Sequence, residues 1–279
     1  MNFEITEQSI IGKIDTDTCE DGIFISDHFV CVIDGATSKS DLMFDNRSAG
    51  KTGVELLKKA LKDIPEECDH IQAADYLSDY IMEFYKQQGL AEKMTNEPVH
   101  RLTASLAIYS KFRNEIWLIG DCQCMAGETY YSNKKKIDDL TSNLRAFYIE
   151  VLLAQNHTIE ELLSNDLSRE LILPVLEEQM RLQNSPSKNE FSYSVIDGFR
   201  PDYDLIRVIP VKNSRNIILA SDGYPRIYNN LEETENYLNY ILENDPLCYT
   251  IFKSTKGKYN GQNSFDDRAY VKITITDNR

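Results

Sequence analysis

Short runs of β-branched and aromatic residues recur along the chain: SIIGKI, GIFI, HFVCVID, TASLAIYS, EIWLIGD, YDLIRVIPV, NIILASD and AYVKITI. They predict strands, several of them buried on both faces. Between them lie segments with helical spacing. RSAGKTGVELLKKALKDI places Val54, Leu56, Leu57, Leu61 and Ile64 on one stripe, and AADYLSDYIMEFYKQQ and NLRAFYIEVLLAQ follow the same logic. DLSRELILPVLEEQMRLQ does so with an interruption expected at Pro174. The elements arrive in blocks rather than in the strict alternation of a doubly wound parallel sheet. This order suits an α+β fold with a largely antiparallel sheet core and helices packed outside. The polar stretch QNSPSKNEF (183–191) is expected to be a loop, too short to link two domains. Without internal repeats or low-complexity segments, residues 1–279 are expected to form a single domain.

With 279 residues, 42% of them hydrophobic, the chain can build a sizeable core. Its 30 Lys and Arg against 45 Asp and Glu give a formal charge of −15, which argues against nucleic acid or an anionic membrane as partner. Most of the acidic excess reads as a solvated surface, leaving room for hard-cation ligands at particular positions. The N-terminus MNFEITEQSIIGKID lacks the pattern of a signal peptide and no apolar run approaches a membrane span, so a cytoplasmic protein is expected. The six cysteines form no CxxC pair and read as reduced, buried thiols, with Cys122 and Cys124 on one face of a strand.

The recurrent chemical feature is an apolar strand that ends in a carboxylate, often beside a glycine. HFVCVIDG presents Asp34 and Gly35, EIWLIGD presents Gly120 and Asp121, and NIILASDG presents Asp222 and Gly223. Asp266 and Asp267 precede AYVKITI, and Glu20 and Asp21 precede GIFI. Carboxylates gathered at strand ends raise one another's pKa and are tolerated mainly where cations neutralise them. All-oxygen ligands select Mg²⁺ or Mn²⁺. Two such ions about 3.5–4 Å apart can activate a shared water for attack at phosphorus. Any single strand-end aspartate is more often a turn or cap residue, and Asp197 in SVIDGFR is assigned to that class.

In order and spacing, CED (19–21), VCVIDG (30–35), RLTASLAIY (101–109), IWLIGD (116–121), IILASDG (217–223) and FDDRAYVKI (265–273) resemble the signatures of the metal-dependent Ser/Thr protein phosphatases, the type 2C (PPM) family, in its bacterial form. The resemblance implies two packed, mostly antiparallel sheets flanked by helices, an αββα sandwich. It implies hydrolysis of phosphoserine and phosphothreonine esters in a phosphorylated protein substrate, with two Mg²⁺ or Mn²⁺ ions and a weaker third, by a monomer. Asp34 would bridge the ions, Gly35 would lend its carbonyl, and Asp222 and Asp266 would complete the ligand shell of the second ion. Glu20 and Asp21 would act mostly through intervening waters, and Asp121 would help hold the third ion. A variable flap would lie at about 140–190 and bear on substrate choice.

The chain also departs from the family pattern. DGATSKSD replaces the family's His-Gly-Gly or Met-Gly-Gly after the bridging Asp-Gly, and DTDT lacks the phosphate-binding arginine that precedes the acidic pair. Lys13 is the nearest cation and the candidate phosphate ligand, with Lys39 and Arg47 as others; a lysine lacks the bidentate fork of arginine. These departures keep two alternatives open: a catalytically impaired pseudophosphatase serving as a binding module, and a phosphohydrolase acting on a small phosphorylated molecule. SAGKTG mimics a phosphate loop, but Asp45 stands where its first glycine belongs. The four histidines show no metal-ligand spacing, and no GxSxG elbow is present.

Overall fold

The computed structural model describes residues 2–37, 39, 42–211 and 214–276. Two five-stranded sheets form the centre, and every strand pair in them is antiparallel. One is ordered β1 (Asn2–Ile11), β10 (Arg268–Thr276), β9 (Asn216–Ala220), β6 (Gln123–Ala126), β7 (Thr129–Ser132). The other is ordered β2 (Asp21–Ile25), β3 (Phe29–Gly35), β4 (Ala104–Ser110), β5 (Glu115–Ile119), β8 (Arg207–Pro210).

Burial on both faces follows from the two-residue period of a strand. In β3, Val30 and Val32 enter the core between the sheets, whereas Cys31 and Ile33 pack with helices α1 (Ala49–Ala60) and α2 (His70–Gln87). In β9, Ile217 and Leu219 face the opposite sheet, whereas Ile218 and Ala220 pack under α7 (Leu231–Asn244). Each aliphatic side chain so buried contributes about 1.5–3 kcal/mol. Uninterrupted apolar runs are therefore the signature of strands sandwiched between a second sheet and a helix layer. Cys122 and Cys124 both lie in the inter-sheet core, and all six thiols are free and buried. Helix α1 begins where Ser48 accepts a hydrogen bond from the Lys51 backbone, and α2 begins with a capping box between Asp69 and Gln72. A short α3 (Ala91–Asn96) leads into β4.

Several elements differ from the sequence reading. The first strand begins at Asn2, well before SIIGKI, because its half-exposed alternation is stabilised by pairing with β10 rather than by a dense apolar run. YDLIRVIPV divides into a 3-10 turn (Tyr203–Leu205) and the short β8, and the outer strand of the β6–β7 hairpin holds only polar and aromatic residues. Pro174 does not interrupt its helix. Pro174 and Glu170 are both exposed, so water can solvate the carbonyl that the missing N–H leaves over.

Between β7 and β8 the chain inserts α4 (Lys136–Ala154), α5 (Ile159–Ser164) and α6 (Leu167–Glu178). The insert is tied to the remainder by Arg145, which is wholly buried. Its Nε and Nη2 donate to Asp166 Oδ2 at 3.0 and 2.5 Å, while Nη1 donates to the carbonyls of Leu247 and Ser254 at 2.8 and 3.1 Å. Asp166 is in turn the N-cap of α6. One guanidinium thus joins α4, the start of α6 and the 247–254 segment. Removing it takes both Arg145 donors from the buried Asp166 Oδ2 and leaves two carbonyls without partners. Arg145→Ala should lower the unfolding free energy by about 3–5 kcal/mol, measured by urea denaturation; a loss under about 1 kcal/mol would show that the insert does not depend on this pair.

Candidate metal centre and its cleft

Antiparallel pairing brings the carboxylate-bearing strand ends to one edge of both sheets. Asp21 at the start of β2 pairs with Asp34 near the end of β3, and Asp34 pairs with Ser105 at the start of β4. Asp121 follows β5, Asp222 follows β9 and Asp266 precedes β10. Asp34, Asp121, Asp222 and Asp266 line a cleft of about 220 Å³. One carboxylate oxygen from each of Asp34, Asp121 and Asp222 lies within 4.8 Å of the other two.

The neighbouring glycines belong to this geometry. A Cβ on Gly35 would sit 2.5 Å from the Glu20 carbonyl and 2.8 Å from that of Gly50, so only glycine lets β3 end against the 19–21 turn and α1. Gly120 has φ +83° and lies over Ser105, whose hydroxyl donates to Asp121 Oδ1 at 2.5 Å.

Cations press on the carboxylates from three sides. Lys135 Nζ lies 2.7 Å from Asp121 Oδ2, and Lys256 pairs with Asp266. Lys13 Nζ lies 3.1 Å from Asp267, 3.6 Å from Glu20 and 3.7 Å from Asp266, and donates to Thr37 Oγ1 at 3.0 Å. Lys13 is thus committed to carboxylates and is not among the residues lining the cleft. Glu20 accepts from Ser48 Oγ at 2.6 Å, and Asp267 accepts from the Lys13 and Glu20 backbone N–H groups at 2.7 and 3.2 Å. Asp21 is buried, and its Oδ2 has no hydrogen-bond partner among the described residues.

This imbalance appears in the pKa values. Burial, followed by Asp21, Asp121 and Asp266, pushes Asp34 well above the ordinary carboxylate range. Desolvation within the cleft, followed by Asp34, Asp121 and Asp266, does the same to Asp222, and burial does so to Asp21. Burial would raise Asp121 too, but the Lys135 ammonium and the bonds from Lys135 and Ser105 outweigh it and hold it below the ordinary value. Lys39 also lines the cleft; burial, then Arg169, Lys135 and Lys256, push its ammonium down to about 8. The donor set fits a hard cation: the oxygens converge, they are all carboxylates, and one buried oxygen of Asp21 lacks any other partner.

Asp197, which shares the strand-like VIDG context, is elsewhere. It is fully buried, paired with Arg101 at 2.9 Å, and accepts from Gln183, Asn184 and the Phe199 backbone. Lys51 of the GKT decoy sits on α1 and donates to the Cys19 carbonyl. His28 occupies the β2–β3 turn. Lys135, Arg169 and Lys256 line the cleft without having been singled out in the sequence, where no motif marks them.

Among solved structures, the catalytic domain of the serine/threonine protein phosphatase PstP in complex with two manganese ions is 12% identical, with a TM-score of 0.50, covering 99% of this chain and 99% of that one. The chain has the type 2C phosphatase fold. The Mycobacterium tuberculosis phosphatase PstP/Ppp is 13% identical with a TM-score of 0.48, covering 99% of this chain and 100% of that one. Staphylococcus aureus Stp1 is 13% identical with a TM-score of 0.46, covering 99% of this chain and 96% of that one. No protein-family model matches the sequence, and no curated protein does. Among the described residues no helix is long and apolar enough to cross a membrane.

The raised carboxylates carry a stability consequence. The native state retains protons on Asp21, Asp34 and Asp222 above the ordinary value of 3.8, where the unfolded chain has released them. Stability from these groups therefore declines as pH rises through the window above that value. In EDTA the thermal midpoint should be higher at about pH 5.5 than at about pH 7.5, and Asp34→Asn should flatten the dependence. A midpoint rising with pH over that interval, in scanning calorimetry, would contradict the assignment.

Proposed function

We propose that the chain is a metal-dependent phosphatase that hydrolyses phosphoserine and phosphothreonine esters in proteins. The observation that carries this reading is the convergence of the Asp34, Asp121 and Asp222 oxygens, with Asp266 beside them, in one cleft of a type 2C fold. Bound there, a pair of Mg²⁺ or Mn²⁺ ions would acidify a water and neutralise phosphate charge.

The chain's own residues do the rest. Asp34, central in the carboxylate group, would be the ligand common to both ions, with Gly35 beside it; Asp222 and Asp266 would complete the set, and Asp121 would serve a more weakly held ion. Glu20 and Asp21 shape the same end of the sheets from behind, Glu20 through its bond from Ser48. Ser105 fixes the direction of Asp121. Lys135 and Lys256 bring positive charge to the cleft, where the phosphate group must enter past a strongly acidic floor. Helices α4 and α6 contribute Asp138, Ser142, Arg169 and Leu176 to the lining of the cleft.

A second reading, a binding module without turnover, is favoured by one observation: Asp266 already faces two lysines, Lys13 and Lys256. Turnover separates the two. The purified protein should hydrolyse a phosphothreonine peptide with Mn²⁺ or Mg²⁺ and stop in EDTA. Asp222→Asn should lower kcat on the order of a hundredfold or more, since loss of a direct ligand exceeds the cost of losing an outer one. Absence of turnover with any metal, in protein that melts cooperatively, would leave the binding module. Faster turnover of small phosphate esters than of the peptide would point instead to a small-molecule phosphohydrolase.

A further inference from the structure

The chain lacks the arginine that precedes the acidic pair in the phosphatases it resembles, and Lys13 has turned into the carboxylates. A different arginine reaches the cleft from the insert. Arg169 stands in the first turn of α6, partly buried, and lines the same cleft as Asp34, Asp222 and Asp266.

Its guanidinium is held in place from one side only. Nη1 donates to the Thr255 carbonyl at 2.6 Å. Among the described residues, Nε and Nη2 donate to no acceptor, and no carboxylate lies within salt-bridge distance of the group. The remaining donors therefore form an open edge, and such an edge on a fixed guanidinium matches two oxygens of a phosphate. The support beneath it is buried and hydrogen-bonded. Asp166, the N-cap of α6, accepts from the Arg169 backbone N–H at 3.0 Å and is gripped by the buried Arg145, which also holds the Ser254 carbonyl next to Thr255. Arg169 and its Thr255 anchor are thus fixed by the same buried pair. Lys39 and Lys256 line the cleft with it, so the positive wall of a chain with formal charge −15 faces the acidic floor. Lys256 already answers Asp266, whereas Arg169 answers no carboxylate among the described residues.

We propose that Arg169 is the residue that grips the substrate's phosphoryl group, with Lys39 beside it, so that phosphate recognition has moved from the N-terminal segment to the helical insert. This rests on the phosphatase reading for its substrate, but it is tested by binding as well as turnover. Calorimetric titration with inorganic phosphate in Mg²⁺ buffer should show binding to the wild type, about tenfold weaker binding to Arg169→Ala, and an intermediate loss for Arg169→Lys, which keeps the charge without the fork. Arg181→Ala, an exposed cation just beyond α6 paired with Glu178, should leave the affinity unchanged. With phosphothreonine peptide, Arg169→Lys should raise KM more than it lowers kcat. Thermal midpoints of the variants establish folding, and Arg169→Lys carries the test should Arg169→Ala unfold.

Phosphate affinity of either folded Arg169 variant within twofold of wild type would overturn the proposal, as would a wild type that takes up no phosphate. Turnover that persists without dependence on Arg169 would overturn it while leaving the phosphatase reading intact. Arg169-dependent phosphate binding in a protein without turnover would support the grip and sink the phosphatase reading.

Discussion

The structure turns on the crowding of carboxylates at one edge of two packed sheets. Antiparallel pairing sets Asp21 opposite Asp34 and β4 beside β3, and the packing of the second sheet adds Asp222 and Asp266 to the same cleft. Charges brought this close repel strongly where solvent is excluded, and each is relieved by protonation, by a cation side chain or by a metal ion. The surrounding architecture distributes these three forms of relief. Glycine at position 35 permits the approach of backbones that makes the crowding possible, since a side chain there would collide with two carbonyls.

The helical insert supplies the second half of the electrostatics. Its attachment does not come from a large apolar interface alone: Ile149, Leu152, Leu162 and Leu247 form a small cluster, and Arg145 with Asp166 ties the same pieces together by hydrogen bonds. A pair buried this deeply is costly to assemble, yet it has a definite geometry that apolar contacts lack. That geometry reaches the cleft through Asp166 and Ser254, each adjacent to a chain segment bearing a cleft cation. The insert's share of the cleft lining is accordingly tied to the 247–254 segment by hydrogen bonds of defined direction.

Much of this was legible in the sequence, and the reason is local. Strands buried on both faces leave dense apolar runs, and α1 and α2 carry both their stripe and their caps within a single window. The ends of those runs marked Asp34, Asp121, Asp222 and Asp266, which the fold gathers along one cleft. What escaped depends on partners distant in sequence. Strand β1 is stabilised by β10, more than 250 positions away, and its own pattern is only half buried. Lys135, Arg169 and Lys256 belong to three separate segments with no shared motif, and only the fold makes them neighbours of the aspartates. Asp34 and Asp197 make the same point in reverse. Both close a VIDG run, but Asp197 meets Arg101 and three further donors, so its charge is satisfied by protein alone.

That contrast separates two kinds of crowded carboxylate in this fold. Asp197, Asp166 and Asp245 are buried carboxylates saturated by fixed donors: a guanidinium for the first two, a series of backbone N–H groups for the third. Asp121 and Asp266 are answered by lysines, flexible single-point cations that can swing away. Asp21, Asp34 and Asp222 have no cation of their own within salt-bridge distance among the described residues, and burial pushes all three well above the ordinary carboxylate range. Protein donors thus saturate the structural carboxylates, while the cleft keeps a group whose charge is left open or only loosely covered. The fold buries an arginine beside Asp166 and beside Asp197, and among the described residues it places none within salt-bridge distance of Asp21, Asp34 or Asp222.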